Sequence, residues 1–111
     1  MRRERIVKIV EKRFRGSMIC RVLGYPISYA IVKMLSENGE MAFKNLLKKV
    51  KRSKSTLCFH MTKLRMANIV RYEKRGSDTI YWIKYPEETH AFLDACESMV
   101  KRTVQRIEQD F

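Results

Sequence analysis

Acidic residues are scarce in this chain. Twelve Asp and Glu stand against 24 Lys and Arg over 111 residues, a formal net charge of +12. The three cysteines, Cys20, Cys58 and Cys96, are odd in number and form no Cys-x-x-Cys pair, which argues against a secreted disulfide framework. No run of about 18 apolar residues occurs, so no membrane-spanning helix is expected. The opening residues, Met1 to Lys8, lack the apolar core of a signal peptide. A Gly-rich phosphate loop, a carboxylate pair beside a histidine and a complete set of metal ligands are all missing, which disfavours an enzyme and gives no expectation of a cofactor or metal.

The basic charge that remains is unevenly placed. Residues 1–25 carry a net +6, residues 26–84 a net +9, and residues 85–111 a net −3. The first two segments are therefore the parts suited to a polyanion, and the last is not. The length suits one domain with a modest core. It divides into an N-terminal helix (1–24), a core (25–84) and a C-terminal helix (85–111).

Apolar residues recur at helical spacing through Ile6, Val10, Phe14, Met18 and Val22. Gly24-Tyr25-Pro26 breaks that helix, and Pro26 suits the first turn of the next, which runs to Asn38-Gly39. Glu40-Met41-Ala42 reads as a short extended segment, too short to be assigned to a sheet from sequence. Phe43, Leu46, Leu47 and Val50 then mark one face of a short helix whose other face carries Lys44, Lys48, Lys49 and Lys51.

Ser53 is placed to cap the next helix with its hydroxyl. In that helix Leu57, Met61 and Leu64 point inward, while Ser55, Phe59, Thr62 and Met66 point away, with Thr56 and Lys63 on the flanks. Asn68, which tolerates the left-handed conformation, marks the stop. Two β-prone runs, 69–74 and 79–84, flank Arg75-Gly76-Ser77-Asp78 and predict a hairpin. The predicted fold class is mainly α with a small β-hairpin wing (α+β). A helix, a tight turn, a second helix and a wing place one helix in the DNA major groove.

Tyr85-Pro86 is the last breaker. Beyond it, Leu93, Cys96, Val100, Val104, Ile107 and Phe111 repeat every three or four residues, a coiled-coil-like seam that predicts an oligomer interface in preference to intrachain core.

The run Ser53-Lys54-Ser55-Thr56-Leu57-Cys58-Phe59-His60-Met61-Thr62-Lys63-Leu64-Arg65, followed by Ala67-Asn68-Ile69-Val70, resembles the recognition-helix signature of the ArsR-like winged helix-turn-helix regulators. The resemblance extends from about Tyr25 to Lys84. It implies a homodimer formed by the first and last helices, with Ile6, Val10, Phe14, Met18, Leu93, Cys96, Val100, Val104 and Ile107 at the interface. It also implies a recognition helix at 53–67, a wing at 69–84, and base reading from Cys58, Phe59 and Lys63. Two recognition helices about one DNA turn apart would read an inverted repeat.

Two residues depart from the family pattern: Cys58 stands where Ser is usual, and Phe59 where a polar residue, often His, is usual. Phe59 either touches a thymine methyl or packs under the wing. His60 is either a core-edge histidine or a base reader. Lys54, Ser55 and Thr56 at the helix start bond phosphates or base edges. Lys44 and Arg52 give phosphate contacts or solvated charge, and Arg71, Lys74 and Arg75 reach the DNA backbone or minor groove from the wing.

Family metal sites are not matched. The helix from Phe43 to Val50 has no Cys, His or acid, and Glu88-Thr89-His90 resembles only half of the last-helix site, since Lys101 and Val104 stand where the remaining ligands would be. Cys20 and Cys96 form a candidate redox pair, or are simply small buried hydrophobes. The expected partners are double-stranded DNA and a second copy, with no membrane, in the cytoplasm on the nucleoid. The expected role is a sequence-specific regulator, a repressor by promoter occlusion. An architectural DNA-binding protein of low sequence specificity is the alternative.

Overall fold

In a computed structural model the backbone is described for residues 2–110 and the side chains for residues 11–104. Five helices and three strands follow one another: α1 (Arg2–Leu23), α2 (Pro26–Asn38), β1 (Met41–Ala42), α3 (Phe43–Val50), α4 (Lys54–Met66), β2 (Val70–Arg75), β3 (Asp78–Ile83) and α5 (Pro86–Asp110). This is a winged helix-turn-helix, mostly helical with a small antiparallel sheet, as the hydrophobic spacing predicts.

The breakers act where the sequence puts them. Between α1 and α2 the chain turns through 91°. Gly24 fits closely there: a Cβ at that position would come within 3.2 Å of the Cys20 carbonyl oxygen and 3.3 Å of that of Arg21, so any larger residue needs a small local shift. Pro26 opens α2, and Gly39 closes it at φ 82, a conformation open to glycine at little cost. Asn68 takes φ 59 just past α4. The Ser53 hydroxyl accepts a bond from the Thr56 amide at 3.2 Å, capping α4. Ser53→Ala is expected to destabilise the domain by ~1 kcal/mol, read from urea denaturation midpoints, with no change in the folded-state spectrum.

The core forms around α2, whose Ile31, Val32 and Leu35 are essentially inaccessible. Leu46 of α3, Leu57, Met61 and Leu64 of α4, Val70 and Ile83 of the wing strands and Leu93 of α5 close on it. The sheet order is β1-β3-β2, all antiparallel. Met41 pairs with Tyr81 and Ala42 with Ile80, so the short extended segment before α3 is the third strand. The wing is thus tied to the body by a strand on its inner side.

Leu93 corrects one expectation. It is 2% exposed and belongs to this core, not to an oligomer surface. α5 is seated by this burial, with a Lys33–Glu97 ion pair and a 3.1 Å bond between Ser36 Oγ and His90 Nδ1 joining it to α2 at the surface.

Candidate nucleic-acid interface

On α4 the chemistry divides by angle around the helix axis. Leu57, His60, Met61 and Leu64 are buried, whereas Lys54, Ser55, Cys58, Phe59, Thr62 and Met66 are exposed. At about 100° per residue the outward arc centres on Ser55 and Thr62. Cys58 and Arg65 lie on one flank, and Phe59 and Lys63 on the other.

The first flank meets the wing. The Arg65 guanidinium lies 4.2 Å from the centre of the Tyr72 ring, and Tyr72 stacks on its cross-strand partner Tyr81 at 5.7 Å. The second flank faces away from it. Phe59 is 51% exposed, its ring against the edge of His60 at 5.2 Å and beneath the Lys63 ammonium at 5.3 Å. The reading in which Phe59 packs under the wing is therefore overturned: Arg65 stands over the wing on the opposite flank.

His60 is a core residue. It is 7% exposed, its Nδ1 lies 2.9 Å from Ser28 Oγ of α2, and its ring meets Tyr25 edge-on at 5.7 Å. It stands two residues before Thr62 but on the far side of the helix, so it is removed from the base-reading set. Burial lowers its pKa below the ordinary 6.5. Above that pH the ring is neutral in both the folded and unfolded chain. As pH falls through about 6.5 the unfolded chain takes up a proton that the folded chain refuses, so stability is lost until the folded histidine itself titrates. His60→Gln is expected to flatten this acid limb, which urea midpoints at about pH 7.5 and about pH 5.5 would show.

The wing cations are not equivalent. Arg75 forks across the sheet to Glu40, with bonds of 2.7 and 3.0 Å, and also bonds Glu73. These bonds raise its pKa further and hold the Glu40 carboxyl below its usual range. Lys44 lies 3.2 Å from Asp78 at the wing tip. Arg75 and Lys44 are thus paired with carboxylates at the surface of the molecule, and a DNA contact from either would have to compete with that pairing. Among the described residues Arg52, Lys54, Lys63, Arg71 and Lys74 make no ion pair. Ser53 is occupied as the cap and also lies 2.9 Å from Thr56 Oγ1. Thr62 is exposed on the same outward arc as Ser55 and Cys58.

The expected oligomer surface is only partly described. Ile6, Val10 and Ile107 lie outside the residues whose side chains are described. Phe14, Val100 and Val104 are exposed, Met18 and Cys96 are half-buried, and Met99, between the seam positions, is 61% exposed. α1 and α5 flank an open groove of about 890 Å³ whose walls include Phe14, Met18, Ile19, Ile69 and Phe92. Cys20 and Cys96 are both free thiols, and neither lines this groove. Cys96 faces Tyr29 of α2, whose hydroxyl is pushed up by burial first and by Cys96 second.

Known proteins share this arrangement. The family described as bacterial regulatory protein, arsR family, matches residues 28–72. An uncharacterized HTH-type transcriptional regulator of Methanocaldococcus jannaschii, MJ1325, is 31% identical over 74 residues, which are 67% of this chain and 83% of that protein. The chain belongs to the ArsR family. As an ArsR-family protein it is a DNA-binding transcriptional regulator. Solved structures share its fold. The homodimeric winged helix-turn-helix domain Mb0332 of Mycobacterium bovis superposes with a TM-score of 0.79 at 12% identity, covering 89% of this chain and 90% of that one. NolR of Sinorhizobium fredii gives 0.74 at 24% identity, covering 83% and 90%. The transcriptional repressor BigR of Xylella fastidiosa gives 0.70 at 19% identity, covering 89% and 96%. Among the described residues no single helix of this ArsR-family chain is long and apolar enough to cross a membrane.

Proposed function

We propose that this ArsR-family regulator is a homodimeric repressor that reads an inverted repeat through α4 and the wing and blocks transcription by occupying promoter DNA. The observation that carries this reading is the outward arc of α4. Lys54, Ser55, Thr62 and Lys63 project from a helix whose other side is locked into the core, and Arg71 and Lys74 extend the cationic surface onto the wing. Hydroxyls and ammonium groups at a helix start suit phosphate oxygens and base edges. Thr56, on the flank of the arc, and Arg52, in the turn, add to the phosphate-facing set.

The dimer rests on Phe14, Met18, Cys96, Val100 and Val104, apolar side chains on α1 and α5 that the described part of the chain leaves wholly or partly uncovered. The domain works as one unit, residues 1–24 and 85–111 dimerising and residues 25–84 reading DNA. Its role is binding and not catalysis, exercised in the cytoplasm on the nucleoid. Mb0332 is a homodimer and BigR a repressor by their own descriptions, which supports both assignments.

The test is selection of bound duplexes from a random pool, then titration of the winner against a scrambled control, with the mass of the complex measured in solution. A palindromic winner bound by two chains about 10³-fold more tightly than the control is the expected result. Equal affinity for both duplexes overturns it. Repression is read separately, as reduced transcription in vitro from a promoter carrying the selected site.

A further inference from the structure

Phe59 puts an aromatic ring on the outward side of α4. It is a half-exposed phenyl ring on the flank of an outward arc that also carries Ser55, Cys58, Thr62 and Met66, and it cannot form a hydrogen bond with anything that arc meets. It is also held. The His60 ring lies edge-on at 5.2 Å and 84°, and Lys63 one turn later sits over the ring. His60 is in turn fixed by Ser28 at 2.9 Å and by the Tyr25 ring. A line of contacts from α2 therefore sets the direction of an apolar group that points out of the molecule. Ring order is established before any ligand arrives, so little side-chain entropy is lost on contact.

The major groove offers such a ring one kind of apolar feature at its base edges: the C5-methyl group of a pyrimidine, present on thymine and on 5-methylcytosine and absent from uracil and cytosine. We propose that Phe59 is a specificity-determining residue that reads a pyrimidine C5-methyl group, and that His60 and Ser28 are positioning residues for its ring. The assignment rests on the reading above that α4 enters the major groove. It makes this regulator sensitive to the presence of a single methyl group in each half-site, and so to cytosine methylation wherever the contacted position is a cytosine.

The test uses the full chain and the selected duplex. Each thymine of the half-site is replaced in turn by deoxyuridine, which deletes the methyl and keeps every hydrogen-bonding group. At one position the native protein is expected to lose about 4-fold in affinity per half-site and about 15-fold when both half-sites are changed. Phe59→Ala is expected to bind thymine and deoxyuridine duplexes equally, with its melting temperature and salt dependence unchanged. Where the contacted base is cytosine, 5-methylcytosine gains the same factor over cytosine, again only with Phe59 present. Ser28→Ala and His60→Gln are expected to shrink the thymine-to-deoxyuridine ratio while leaving the salt slope intact, an outcome that general loss of folding would not produce. Equal affinity of the native protein for every methylated and unmethylated pair overturns the assignment, as does a ratio that persists in Phe59→Ala. Failure of the docking itself has another signature. Lys54→Ala and Phe59→Ala would then both leave affinity for the selected duplex unchanged, and the assignment falls with it.

Discussion

Leu64→Ala is expected to destabilise the domain by about 2–5 kcal/mol. Leu64 is 0% exposed and belongs to the single core cluster, to which α2, α3, both wing strands and α5 also contribute. Neighbours on several different elements cannot all move into the space left behind, so the loss includes a cavity in addition to the transfer of the missing methyls. For a domain of this size the melting midpoint should fall by at least about 8 °C. Thr62→Ala, two residues earlier and exposed, should change it by less than about 0.5 kcal/mol. Calorimetry on both variants checks the pair. A small effect at Leu64 would mean that α4 is not seated by this face.

Raising monovalent salt from about 50 to about 200 mM is expected to weaken binding to the selected duplex by about 10³-fold. The magnitude follows from the pairing pattern. Lys54, Arg71 and Lys74 make no ion pair among the described residues. Counting these three as phosphate contacts from each protomer of a dimer gives at least about six per complex, and a log–log slope of about −5 or steeper, with Arg52 and Lys63 adding to it where they also reach phosphate. Lys54→Ala should make that slope shallower by about 2, since one contact is lost from each protomer. Arg75→Ala should leave it unchanged, because Glu40 and Glu73 already hold that guanidinium. Fluorescence anisotropy over a salt series separates the two. An equal drop in slope for both variants would show that Arg75 leaves its carboxylates to meet DNA.

The contrast between Lys54 and Arg75 shows what a sequence can carry. Local signals were legible: Ser53 as cap, Asn68 as a left-handed stop, Pro26 and Pro86 as helix openers, and the inward stripe of Leu57, Met61 and Leu64. Each depends on residues within a turn or two of one another. Pairings between distant segments were not. Glu40 and Arg75 are 35 residues apart, and nothing in either neighbourhood announces the other. β1 is two residues long and exists because β3 lies beside it.

Periodicity also marks an apolar face without saying what covers it. Leu93, Val100 and Val104 stand on one stripe of α5, yet α2 covers the first and the described part of the chain leaves the others exposed. Of the two readings open for His60, the core-edge one holds, and the sequence left the choice open for a related reason. Its position in the signature is compatible with either side of the helix edge, and the Ser28 hydroxyl that satisfies it comes from another helix.

The groove between α1 and α5 has one further wall. Met66, Ala67, Asn68 and Ile69, the end of the recognition helix and the start of the wing, line it as well. Whatever occupies the groove therefore touches the stop of α4, the helix proposed above to read DNA. Thermodynamic linkage then imposes a symmetry: if an occupant changes DNA affinity by some factor, DNA must change the affinity of that occupant by the same factor. For an assembly of two chains seated there, dilution and operator occupancy become one coupled equilibrium, and the operator itself acts as a clamp on the pair.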